Sequence, residues 1–319
     1  MKNLAVLTSG GDSPGMNGVV RAVTRVAISE GYSVFGIEQG FAGLLNRSIR
    51  PLSRRDVGGI VQMGGTFLKT ARCEEFKYIE EQRKGYQILK DYQIDGLIVV
   101  GGDGSMEGAQ ALTALGMPTV TVPGTIDNDM PGTQYTIGFD TTLNTIIDAV
   151  SKIRDTISSH SRVAVIEVMG RHAGHLALHA GIACGAEVVL VPEAPMPLDK
   201  MCERLYETHS SGKSYSIVLV AEGAYSGYEV YEYVKKNTRF DPTVTVLGYI
   251  QRGGSPSAHD NIMGAIMGEA AVKSFEEGRA NSLVGYMNGE IVLTPYERLS
   301  KIKNAVDAHL YHLLSVLSS

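Results

Sequence analysis

The sequence is poor in the features that would place a protein outside the cell, in a membrane or on nucleic acid. Its 319 residues include only three cysteines, Cys73, Cys184 and Cys202. They form no CxxC pair and cannot all be bridged, which argues against a disulfide scaffold and for reduced thiols in a cytosolic setting. No run approaches the ~18 apolar residues of a membrane span, and the opening MKNLAVLTSGG is too short in apolar residues for a signal sequence. Basic residues are not in excess, since the net charge is −5; a general nucleic-acid binder would carry a basic stripe. The expectation is a soluble, cytoplasmic protein with neither a nucleic-acid nor a membrane partner.

What is present is ordinary globular composition, 44% hydrophobic and 20% charged, with one outlier: 37 glycines, where ~7% is usual. They cluster after apolar runs instead of filling linkers, so they serve close backbone approach more than flexibility. The length suits two domains better than one.

The apolar runs Leu4–Leu7, Ser33–Ile37, Gly96–Val100 and Thr119–Val122 read as buried strands. Helical patterns follow or precede them, through Val19–Ala27, Gly85–Tyr92 and Ala109–Leu115. The same alternation recurs in the second half, with strands at Val163–Val168, Glu187–Val191, Ser216–Ala221 and Thr243–Leu247 and helices over 143–158 and 174–184. Strand–turn–helix repetition predicts an α/β protein with open parallel sheets. The reading is two Rossmann-like parallel-sheet domains with the active site in the cleft between them.

Ligands of such sheets bind beyond the carboxyl ends of the strands, and the unusual residues lie there. Gly10-Gly11 and Gly101-Gly102-Asp103-Gly104 each end a strand and open a helix, where backbone N–H groups and the helix dipole form a cradle for phosphate. Neither turn has the Walker A lysine, and neither fits GxGxxG with an acidic residue ~20 positions on; the glycines also read as simple turn tighteners. A carboxylate at Asp103 beside phosphates implies a cation such as Mg²⁺ between them. Asp127 and Asp129, at i and i+2 after the next strand, suit a base and its partner in phosphoryl transfer. Flanked by Asn128 and preceding a proline, they equally suit a turn. Arg72, Arg162, Arg171 and Arg252 stand at element boundaries and together favour an anionic substrate. His172, His175 and His179 have metal-ligand spacing on a helix, but without an HExxH glutamate they read as packing or capping residues.

Taken together, LTSGGDSPGMN, GGDGS, PGTIDND, IGFDT, MGRHAG, AEG and QRGGSP resemble, in order and spacing, the bacterial ATP-dependent 6-phosphofructokinase family. That resemblance implies transfer of the γ-phosphoryl of MgATP to the 1-hydroxyl of fructose 6-phosphate, with Mg²⁺ as cofactor. It implies Asp127 as base, Thr125 and Arg171 as stabilisers of the moving phosphoryl, Asp129 as support and Asp103 as metal ligand. Gly11, Arg72, Cys73, Gly102, Asp103, Gly104 and Ser105 would line the nucleotide pocket, and Phe41 would offer its ring to adenine. Thr125, Asp127, Met169, Gly170, Arg171, Glu222 and Arg252 would meet the sugar phosphate, joined by Arg162 from a neighbour in a homotetramer. The domains expected are 1–138 plus 251–300 for ATP and 139–250 plus 301–319 for the sugar phosphate.

Pyrophosphate-dependent relatives carry an aspartate and a lysine where this chain has Gly104 and Gly124, so ATP is the expected donor. Thr243 and Tyr249 replace an arginine and a histidine that contact the 6-phosphate, and losing one charge-assisted contact costs ~1.5–3 kcal/mol. Arg239 is near enough in sequence to substitute. The expected sugar-phosphate site is weak or altered, and a related sugar phosphate, or a non-catalytic sensor role, is the alternative. In the regulatory pocket for ADP or phosphoenolpyruvate, Arg21, Arg25, Arg154, Gly185, Glu187 and Lys213 match the family. Gly59, Ser211 and Tyr215 replace an aspartate, an arginine and a histidine, while Arg54 and Arg55 could restore charge. Weakened or absent allosteric control is the expectation.

Overall fold

The computed structural model describes residues 2–300 and 308–317. The chain falls into two compact units. Over the described residues one holds 2–126, 130–141 and 252–300, the other 127–129, 142–251 and 308–317. Of the segment 301–319 expected in the sugar-phosphate domain, residues 301–307, 318 and 319 lie outside the described residues.

The first unit carries β1 (Asn3–Thr8), α1 (Met16–Ser29), β2 (Ser33–Ile37), α2 (Gly40–Leu45), β3 (Ile49–Leu52), α3 (Ile79–Asp91), β4 (Gly96–Gly101), α4 (Asp103–Ala114) and β5 (Thr119–Pro123). After α5 (Phe139–His160), the second unit carries β6 (Val163–Val168), α6 (His175–Cys184), β7 (Val188–Leu190), α7 (Leu198–Ser210), β8 (Ser216–Ala221), α8 (Gly227–Asn237) and β9 (Pro242–Val246). The chain closes with α9 (Ala258–Glu276), β10 (Ser282–Met287), β11 (Glu290–Pro295), α10 (Tyr296–Leu299) and α11 (Ala308–Leu317).

The strand order in the first sheet is β11-β10-β5-β4-β1-β2-β3. Its centre is parallel, as the alternation predicts, but both edges are antiparallel: β3 returns on β2, and β11 returns on β10. The sheet is therefore mixed: a two-residue turn closes the β10–β11 hairpin, while β3 returns on β2 after the short helix α2. The second sheet, β7-β8-β6-β9, is parallel throughout. Its central strands β6 and β8 are almost wholly buried, which is why they read as continuous apolar runs instead of alternating ones.

Both faces of the first sheet carry core, one built from α1 and α9 and the other from α2 to α4. Fully burying a Val, Leu or Ile stabilises by about 1.5–3 kcal/mol. Helices α1 and α9 meet along small residues: a Cβ added at Gly268 would stand 2.8 Å from Ala22 Cβ, and one at Gly264 would stand 3.3 Å from the Gly15 carbonyl oxygen. Among the described residues no helix is long and apolar enough to cross a membrane.

Candidate active site

The acidic loop leaves the sheet at Pro123, the last residue of β5. Asp127 is 8% exposed, and the Nε of Arg171 stands 4.0 Å from its Oδ2. Asn128, between the two aspartates, is left-handed with φ 53°, a conformation an asparagine tolerates better than most residues. Asp129 is half-buried, and that burial raises its carboxyl above the ordinary aspartate value. Its own backbone N–H and the nearby His175, Arg171 and His172 pull in the other direction. His175 is shifted oppositely: burial lowers it, with Glu193 and Asp129 partly restoring the charged form.

Arg171 is aimed by a strained turn at the end of β6. It has φ 52°, and Gly170 before it has φ 137°. A Cβ at Gly170 would lie 2.4 Å from the Ala173 carbonyl oxygen, so only glycine fits. Glu222, just past β8, accepts hydrogen bonds from the Gly170 N–H (3.2 Å) and the Arg171 N–H (2.8 Å). Gln251, completely buried, accepts from the Met169 N–H at 3.1 Å. Non-glycine residues in this backbone region cost about 1–3 kcal/mol and persist where surrounding contacts over-determine them, as these two side chains do.

In the first unit, the ends of β1 and β4 come together. A Cβ at Gly101 would lie 2.6 Å from the Ser9 carbonyl oxygen, and one at Gly10 would lie 3.2 Å from Ser105 Oγ. Gly102 caps α4 through its carbonyl, which accepts from the Ser105 and Met106 N–H groups at 3.0 Å each. Thr125 lies against it, 3.5 Å from where a Gly102 Cβ would be. Gly104 faces open space, with nothing within 4 Å of its Cβ position. Asp103, exposed, stands in the first turn of α4. Arg252 pairs with Asp12 and would meet a Cβ at Gly11 at 2.8 Å. Arg72 is exposed, and the Cys73 thiol is pushed up by partial burial.

Phe41, expected to offer its ring to adenine, lies mostly inside the first unit. It is 4% exposed and stacks on Phe76 with ring centroids 4.3 Å apart, while Gly108 would place a Cβ 2.6 Å from its ring. Its ring belongs to the core cluster of α2 to α4.

The remaining substrate candidates are set along β9 and the end of α5. Arg162 donates from Nε to Asp241 at 2.6 Å. Thr243 pairs with Ala164 in the β6–β9 register, and Tyr249 is 80% exposed. Arg239 is exposed, with its backbone N–H donating to Tyr206. Of the effector candidates in the second unit, Gly185, Glu187, Ser211 and Lys213 share a pocket of about 350 Å³ with Arg204, Glu207, Thr208 and Leu317. Lys213 pairs with Glu187 and lies 5.3 Å over the Tyr215 ring, and Arg154 donates to the Cys184 carbonyl. In the first unit Arg21 is half-buried, and Arg54 and Arg55 are exposed. Arg25 donates to the Arg54 carbonyl at 3.4 Å, and its buried Nε has no hydrogen-bond partner.

Sequence reasoning missed Gln251, Asp260, Asp12 and Thr136 as parts of this framework. Gln251 and Asp12 lie inside the quoted QRGGSP and LTSGGDSP motifs, so a signal existed. Asp260 sits at 0% exposure, and nothing local distinguishes it from a surface aspartate in a helix first turn. No cluster of three or more His, Cys, Asp and Glu able to hold a metal occurs among the described residues.

The phosphofructokinase family model matches residues 3–275. The chain belongs to the phosphofructokinase family. Among curated relatives, the ATP-dependent 6-phosphofructokinase of Halalkalibacterium halodurans is 52% identical over 318 residues, and that of Bacillus subtilis 51%, each match covering 100% of both chains. The structure of phosphofructokinase from Saccharomyces cerevisiae matches with a TM-score of 0.88 and 36% identity, over 100% of this chain and 48% of that longer one. As in the family, the chain is an enzyme of the kinase class.

Proposed function

We propose that the chain transfers the γ-phosphoryl group of ATP to the 1-hydroxyl of fructose 6-phosphate, giving fructose 1,6-bisphosphate and ADP. The observation that carries this is a nearly buried Asp127 with Arg171 Nε 4.0 Å away, in a chain about half identical along its whole length to enzymes of that name. Asp127 accepts the hydroxyl proton as the sugar oxygen attacks. Its burial removes the water that would otherwise satisfy it and strengthens its interaction with the hydroxyl. Arg171 and Thr125 stabilise charge on the transferring group, and Glu222 holds the Arg171 backbone in advance, which reduces reorganisation at that moment. Asp129 completes the loop.

The N–H groups of the Gly102–Ser105 turn and Gly11 receive the phosphates, with Arg72 and Cys73 beside them. Asp103 suits a hard divalent cation: it is an exposed carboxylate at a helix start, next to the open space at Gly104. Mg²⁺ held there supplies charge neutralisation for the phosphates. That same space favours a nucleotide over pyrophosphate, because a carboxylate at position 104 would fill it.

Met169, Gly170, Arg171 and Glu222 take the sugar end, with Arg162 and Arg252 as cations for the 6-phosphate. Thr243 and Tyr249 bring no charge, so the acceptor is held weakly, or a related sugar phosphate is preferred. The working form is a cytoplasmic homotetramer in which Arg162 serves a neighbouring subunit's site. The pocket at Glu187 and Lys213 is the place for ADP or phosphoenolpyruvate, and Arg21, Arg25, Arg54, Arg55 and Arg154 are the cations that the family resemblance assigns to the same effectors. A coupled assay with ATP or pyrophosphate as donor, and fructose 6-phosphate, tagatose 6-phosphate or sedoheptulose 7-phosphate as acceptor, tests the reading. Turnover confined to pyrophosphate, or absent with every acceptor, would overturn it.

A further inference from the structure

The acidic loop is flanked by a segment that the proposed chemistry does not use. Residues 135–138 run beside the end of β5: the Ile137 N–H donates to the Pro123 carbonyl at 2.9 Å, and Gly124 and Ile137 form a parallel bridge. In the middle of this segment, the hydroxyl of Thr136, at 0% exposure, donates to the carbonyl of Thr125 at 2.7 Å.

The segment is itself pinned from two sides. The Ser13 hydroxyl, just past β1, donates to the Ile137 carbonyl at 2.5 Å. Asp260, at 0% exposure in the first turn of α9, accepts from the Tyr135 hydroxyl (2.5 Å), the Gly138 N–H (2.6 Å) and the Thr141 N–H (2.8 Å), and from the Thr141 hydroxyl. A buried carboxylate is tolerated when donors surround it, and here all of them come from residues 135–141. Gly138, with φ 105°, has no room for a side chain: its Cβ would lie 3.0 Å from Ser13 Cβ and still closer to the hydroxyl.

We propose that Thr136 is a positioning residue for phosphoryl transfer, holding the Thr125 peptide in place by a hydroxyl that Asp260 and Ser13 fix from behind. The proposal rests on the reading that Thr125 touches the moving phosphoryl. A threonine hydroxyl at a given height above Gly102 is useful only if its backbone cannot tilt, and misplacement of about 1 Å can cost ~100-fold in rate. The Thr136 hydroxyl gives the Thr125 carbonyl a fixed, buried donor from a segment anchored elsewhere in the unit.

The test compares Thr136→Val, Thr136→Ser and Thr125→Val with the unaltered protein for kcat, both KM values and thermal midpoint. Thr136→Val keeps the shape and removes the hydroxyl; kcat should fall about tenfold or more, with KM for ATP and the sugar phosphate within about twofold. Thr136→Ser, which keeps the donor, should restore most of kcat although it loses a buried methyl. A kcat for folded Thr136→Val equal to that of the unaltered protein, while Thr125→Val is impaired, would overturn the proposal. An unimpaired Thr125→Val would instead overturn the reading of the loop on which it rests. If Thr136→Val does not fold, Thr136→Ala is measured in its place; failure of both to fold would assign the hydroxyl to stability and end the proposal.

Discussion

Arg171 Nε and Asp127 Oδ2 are 4.0 Å apart, close enough for attraction and too far for a hydrogen bond. The guanidinium is 64% exposed and the carboxylate 11%, so the pair is a buried acceptor facing an exposed cation. Such an arrangement places a positive charge beside the acceptor proposed for the hydroxyl proton. Asp127→Asn should lower kcat by about 10²–10⁴-fold while nucleotide and sugar-phosphate binding, followed by calorimetry, persist. Loss of binding together with turnover would point to a structural role.

Glu222 acts on the same pair through the backbone. Glu222→Ala removes the acceptor for two N–H groups in a strained turn, and a stability loss of about 1–3 kcal/mol is expected. Glu222→Gln retains one acceptor oxygen and should lose less. Denaturant midpoints of both variants check the order, and kcat/KM should follow it if the turn aims Arg171.

Gly104 and Gly124, the two glycines proposed to favour ATP over pyrophosphate, should respond differently to substitution. A side chain at Gly104 meets nothing within 4 Å, whereas one at Gly124 meets Met16 Cε at 2.8 Å and Val100 Cγ1 at 3.1 Å. Gly104→Asp should leave the melting temperature nearly unchanged and cut ATP turnover. Gly124→Ala should cost about 1–3 kcal/mol of stability through overpacking, read by calorimetry.

Asp129 and His175 give stability opposite pH dependences. Burial raises the Asp129 carboxyl above 3.8, so the folded chain holds a proton the unfolded chain has lost, and its contribution falls as pH rises through the raised value. His175 is depressed below 6.5; its contribution is present above 6.5 and lost as pH falls through the depressed value. Asp129→Asn should therefore gain stability relative to the unaltered protein at neutral pH. His175→Asn should lose less stability on acidification. Urea midpoints from about pH 4 to 8 measure both slopes.

Phosphoenolpyruvate control should be weak. Glu187, 2% exposed as a side chain, already engages Lys213, and Ser211 brings a hydroxyl where the family carries a cation. Fructose 6-phosphate saturation should stay close to hyperbolic when phosphoenolpyruvate is added. Strong sigmoidal inhibition reversed by ADP is the outcome against this expectation.

The strands and the turns that end them were legible wherever an apolar run is followed by glycine or a motif. β2, β6 and β8 fall on the residues their β-branched runs predict, and the glycine turns at 10–11 and 101–104 follow directly. The edges were not legible: β3, β10 and β11 carry no alternation that names a partner, and whether an edge strand returns parallel or antiparallel depends on the turn that closes it. Phe41 shows the same limit for a side chain. The sequence does not record that its ring stacks on Phe76 and lies against Gly108.

The sequence by itself determined the central strands, the family and the residue types of the candidate site, because apolar runs, glycine turns and ordered motifs are local properties. Only the tertiary structure decided what holds that site in shape. Asp260 and Thr136 are 124 positions apart in the chain and lie in unremarkable local sequence. Their roles come from burial and from donors that meet only after folding, and no period or motif records which distant N–H or hydroxyl a buried acceptor will find.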